Sequence, residues 1–141
     1  MTGRALSLVA LLGAAACGAS GGASDAGACT FPAQPFLTLP SDSGRLTVAL
    51  RGCPQPPTQG VNTIEYTITA DGGIPQDGLT LSVLLWMPAM AHGGNAPPVT
   101  PLGDGGYRLD DVYLYMAGSW QLQTKISGPE TDSVTPTIQV P

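Results

Sequence analysis

Every one of the 14 prolines in this 141-residue chain stands at Pro32 or later. Proline lacks a backbone N–H and clashes with the preceding helical turn, so each of them excludes helix from its surroundings. An all-helical fold is thereby ruled out. Between the prolines, apolar residues recur at every second position, which is the period of a strand with one face buried. Leu46, Val48 and Leu50 alternate with Thr47, Ala49 and Arg51, and Ile64, Tyr66 and Ile68 alternate with Glu65, Thr67 and Thr69. Leu79, Leu81, Val83, Leu85 and Met87 share one face of a third strand. In the segment from Tyr107 to Met116, Tyr107 and Leu109 have one parity and Val112, Leu114 and Met116 the other, which predicts a bulge at Asp110-Asp111. Trp120, Leu122, Thr124 and Ile126 form a further face, followed by Val134, Ile138 and Val140, while Ala70-Asp71-Gly72-Gly73 and Gly103-Asp104-Gly105-Gly106 read as turns. About seven short strands spaced in this way predict an all-β fold, an immunoglobulin-like antiparallel β-sandwich.

The first residues are of another kind. Arg4 precedes a largely apolar run from Ala5 to Ala16, and Gly18-Ala19-Ser20-Gly21-Gly22 follows directly after Cys17. The run is shorter than the roughly 20 residues of a membrane span and reads as a secretory signal. Small residues ahead of Cys17 resemble a bacterial lipobox, although Ala14 stands where leucine is commoner; ordinary cleavage near Ala16 is the alternative. The expected organisation is therefore a lipoprotein signal at 1–16, a lipidated Gly/Ser/Ala tether at 17–28 anchored through Cys17, and one sandwich domain at 29–141. The expected location is the bacterial cell envelope, on the periplasmic or outer side of a membrane. With Cys17 acylated, Cys29 and Cys53 remain as one pair in an oxidising compartment, where a disulfide is the default. It would hold the Pro-rich entry segment, with Pro32, Pro35 and Pro40, to the first strand and contribute roughly 3 kcal/mol.

Charge narrows the functions. Five basic against 10 acidic residues give a net charge of −5, without the basic footprint that nucleic-acid binding requires. A single histidine, no serine in a nucleophile elbow and no selected carboxylate pair make an enzyme the least expected class. Asp104, Asp110 and Asp111 lack the spaced loop of a calcium site and read as solvated turn and bulge residues.

Chemistry concentrates in Trp86-Met87-Pro88-Ala89-Met90-Ala91-His92-Gly93-Gly94. Two thioethers and the imidazole stand close together at the end of an apolar strand. Pro88 and the glycines argue for a loop outside regular pairing, from which Met90 and His92, two apart in extended chain, project to one side. Thioether sulfur with imidazole suits copper, above all Cu(I). Met116 supplies a third ligand if it returns to the same end of the sandwich. Met87 continues the inward parity of its strand and reads as core, Met116 reads equally as ligand or last core side chain, and Trp86 and Trp120 read as packing residues.

The Met87-Pro88-Ala89-Met90-Ala91-His92 segment, the Gly105-Gly106-Tyr107 strand start and the Met116-Ala117-Gly118-Ser119-Trp120 segment resemble the YtkA-like family, which is related to FixH-like proteins. The resemblance extends over Arg45 to Ile126. It implies a small exported or membrane-tethered immunoglobulin-like domain that handles copper or another cation in the envelope, with Met90, His92 and Met116 as ligands and Met87 as a further one. A copper-receiving envelope protein is the implied partner. The rival class is a non-catalytic structural or interaction module of the same fold with no metal.

Overall fold

Alternation in the sequence becomes two facing sheets in the computed structural model, which describes residues 29–141. The segments expected to be a signal and a tether, with Cys17, lie outside the described residues. The strands are β1 (Leu37–Pro40), β2 (Leu46–Cys53), β3 (Gly60–Ala70), β4 (Ile74–Pro75), β5 (Thr80–Met87), β6 (His92–Gly93), β7 (Val99–Gly103), β8 (Gly106–Leu114), β9 (Gly118–Ser127), β10 (Asp132–Val134) and β11 (Thr137–Val140). One sheet runs β1-β2-β3-β8-β7 with β4 also on β3, and the other runs β10-β9-β5-β6 with β11 also on β9. All pairings are antiparallel. The molecule is an immunoglobulin-like β-sandwich, with no helix long and apolar enough to cross a membrane among the described residues.

The inward parities close into one core. Val48, Leu50, Ile64, Tyr66, Ile68, Leu109, Val112 and Leu114 from the first sheet meet Leu81, Val83, Leu85, Met87, Trp120, Leu122 and Ile126 from the second. The bulge falls where the sequence puts it: Asn62 pairs with Val112 and Ile64 with Leu109, so Thr63 faces both Asp110 and Asp111. Asp111 takes a φ of 55° there, which lets the strand exchange the parity of its buried side chains.

The expectation of about seven strands omitted the short outer ones. β1, β4 and β7 contain Pro40, Pro75 and Pro101, and proline within sheets is confined to edges and bulges because it cannot donate to a ladder. β4 and β7 owe their strand geometry to a neighbour rather than to alternation of their own, whereas β1 does alternate, Leu37 and Leu39 leaning on the core, but over only four residues. β1 is held on β2 by its ladder, by the Phe36 N–H donating to the Leu50 carbonyl at 2.9 Å, and by the Cys29–Cys53 disulfide, whose Cα atoms lie 5.9 Å apart. Gln55 adds a polar tie, its side-chain amide donating to the Gln34 carbonyl at 2.9 Å.

One polar bridge crosses the core. The Tyr66 hydroxyl lies 3.0 Å from Thr124 Oγ1, both residues being buried, and Thr124 Oγ1 also donates to the Leu122 carbonyl. Burial pushes the Tyr66 phenol far above its ordinary range, partly offset by the bond to Thr124, so it stays protonated and linked across the sheets. Among the described residues no buried side-chain polar atom lacks a partner, as a stable sandwich interior requires.

Candidate functional site

Two chain corners meet at one end of the sandwich. In the first, β5 delivers Met87 into the core, 2% exposed, and the chain then tightens into a single 3-10 turn over Pro88–Met90. Proline suits the first position of such a turn because its missing N–H is not needed there. Ala91 closes the turn in the left-handed conformation, its N–H donating to the Pro88 carbonyl at 3.2 Å. This reversal brings His92 back beside Met87 and Gly93 beside Trp86, forming β6. The extended loop expected for this segment is therefore replaced by a hairpin. His92 is a paired, half-buried strand residue, and Met90 sits on the outer side of the turn, 54% exposed. Just past β6, the Gly94 N–H donates to the Leu85 carbonyl at 2.8 Å, and a Cβ there would come within 3.1 Å of the Leu85 Cβ. The glycine permits close packing rather than disorder.

The second corner carries the chain from β8 in one sheet to β9 in the other through Tyr115, Met116 and Ala117. Met116 is half-buried against the rim of the core, between the two roles its parity allowed. Its carbonyl accepts a 2.9 Å hydrogen bond from Nε1 of the fully buried Trp120, which fixes the turn from inside. Gly118, at a φ of 128°, leads into β9, and a Cβ on it would lie 3.3 Å from Cε of Met87. The two motif segments thus touch at this glycine.

Tyr115 joins them on the outside. Its ring stacks on that of His92, with centroids 5.5 Å apart and planes inclined by 19°, and its hydroxyl lies 2.5 Å from His92 Nδ1. The edge-on contact of Tyr115 with Trp120, centroids 5.0 Å apart at 79°, links it to the inner support. Tyr113 flanks it at 6.0 Å. Sequence reasoning overlooked Tyr115, yet a signal existed: Tyr113 and Tyr115 carry the outward parity of a strand whose inward residues are Val112 and Leu114.

The corner brings His92 together with the segment that carries Met116, holds Met87 beneath them as a packed side chain, and leaves Met90 accessible. No three His, Cys, Asp or Glu side chains gather into a potential metal site among the described residues. The side chains at this end that could hold an ion are the thioethers of Met90 and Met116 and the imidazole of His92.

A family description, YtkA-like, matches residues 41–125 and so covers both corners and most of the two sheets. The chain belongs to the YtkA-like family. The matched span leaves out β1, β10, β11 and the disulfide's Cys29. No curated protein and no solved structure matches the chain.

Proposed function

We propose that this YtkA-like domain is an exported envelope lipoprotein that binds copper as Cu(I) through Met90, His92 and Met116, buffering the ion or passing it to a partner envelope protein. The observation that carries the reading is the meeting of the two motif-bearing corners, through the His92–Tyr115 contact on the outside and Gly118 against Met87 on the inside. Soft donors favour a soft ion, and methionine binds Cu(I) without first losing a proton. The exposure of Met90 suits acquisition and release, since an ion handed to another protein must be reached from outside. Met87 is assigned to packing beneath the site.

Anaerobic titration of residues 29–141 with Cu(I) against a competing chelator tests this reading, because that fragment contains every residue of the core. Near-stoichiometric retention is expected, weakened by Met90→Ala and by Met116→Leu. Met90→Ala is expected to move stability by less than about 0.5 kcal/mol, as for an exposed side chain. Binding equal to the parent in Met116→Leu and His92→Ala would eliminate the metal site and leave the non-catalytic immunoglobulin-like module as the reading.

A further inference from the structure

An imidazole has two nitrogens, and which of them meets an ion depends on what engages the other. The Tyr115 hydroxyl stands 2.5 Å from His92 Nδ1 and 3.5 Å from Nε2, so it occupies the approach to Nδ1. Among the described residues, no other side-chain hydrogen bond reaches either ring nitrogen or the Tyr115 hydroxyl. Tyr115 is not a loose surface side chain at this point. Its ring is braced edge-on by Trp120, which is 0% exposed and tied to the Met116 carbonyl, so the hydroxyl is held by the same corner that carries Met116.

We propose that Tyr115 is a positioning residue for His92: its hydroxyl engages Nδ1, so that Nε2 is the nitrogen presented to a soft ion. The identity of the ion rests on the copper reading above, whereas the engagement of Nδ1 belongs to the metal-free protein. Neutral imidazole carries one ring proton. With an ion on Nε2, that proton sits on Nδ1 and is donated to Tyr115 Oη, which fixes the ring and raises the basicity of the coordinating nitrogen. Loss of such an outer partner typically weakens metal binding roughly 10- to 100-fold. Tyr115 thereby couples the two motif segments: the residue that aims the imidazole adjoins the third ligand in the chain.

The chain has one histidine, so nitrogen-detected NMR of the imidazole reads this site without ambiguity. The experiment compares the 29–141 fragment with its Tyr115→Phe variant, metal-free and with Cu(I), alongside chelator competition; urea unfolding verifies that the variant is folded. The expected result is Nε2 as the coordinated nitrogen and a protonated Nδ1 in the parent, with Cu(I) retention lowered roughly 10- to 100-fold in Tyr115→Phe. Coordination through Nδ1 in the parent, or a variant with unchanged retention and an unchanged ring spectrum, would overturn the proposal. If the parent takes up no Cu(I), the copper reading fails by itself. The metal-free spectra then decide the role of Tyr115: the Nδ1 signal must differ between parent and variant, and identical spectra would refute it.

Discussion

Replacing Met87 by alanine separates packing from coordination at the point where the sequence allowed both. The side chain is 2% exposed, and its Cε lies 3.3 Å from where a Cβ on Gly118 would stand, so Cγ, Sδ and Cε all leave a filled space. At about 0.8 kcal/mol for each buried methylene-sized group, transfer alone accounts for about 2 kcal/mol. The cavity adds a further term, bringing the total to about 3 kcal/mol, within the range of roughly 2 to 5 for such truncations. For a domain of this size that corresponds to a fall in Tm of about 12 °C. Urea and thermal unfolding of the disulfide-intact fragment measure it. Met87→Leu is the companion variant, expected to stay within about 1.5 kcal/mol of the parent because volume and apolarity are kept. Its Cu(I) retention should match the parent. A Met87→Ala loss below about 1 kcal/mol would refute the packing argument. So would a Met87→Leu variant that is stable but loses Cu(I), since sulfur and not volume would then be what the position supplies.

Three further outcomes are expected. Cys53→Ser should lower stability by roughly 3 kcal/mol, because the lost link joins positions 24 apart and holds the Pro-rich entry to β2; alkylation of the native fragment should find no free thiol at Cys29 or Cys53. Asp132 is subject to burial, which alone would raise its value, but the hydroxyls of Ser41 and Ser43 and the amides of Ser133 and Ser43 outweigh this and hold its carboxyl at about 2. A depressed carboxylate stabilises the fold above its unfolded value and ceases to do so as pH falls through the folded one, so the stability gap between the parent and Asp132→Asn should be constant from pH 7 to about 5 and close towards pH 2 in acid-dependent denaturation. Cys17→Ser should release the protein from the membrane fraction or leave its signal uncleaved; processing and fractionation like the parent would remove the lipid anchor.

The core was legible because β2, β3, β5, β8 and β9 are long enough for period two to register, and because the parity change at Asp110-Asp111 betrayed its own bulge. The outer strands were not. A segment such as Val99–Gly103 has only one partner and no buried face to impose alternation, and Pro101 reads locally as a breaker. At the site, the parity of Met87 foretold its burial, but the return of His92 to β5 depends on Ala91 adopting a φ of 51°, which nothing in an alanine announces. Tyr115 escaped for a different reason: its partner His92 lies 23 positions away, and only folding makes them neighbours.

The prolines that obscured the outer strands also shape what the margins of their sheet offer to another strand. An open sheet presents unpaired backbone groups along its two margins, and a second chain can extend it there. In the six-stranded sheet both margins, β1 and β7, carry a proline, and an incoming strand finds no N–H at Pro40 or Pro101. Ladder growth is interrupted on either side. A strand added at either margin of this sheet would therefore have to leave one of its carbonyls without a backbone donor, which sets a cost on extending that sheet from outside.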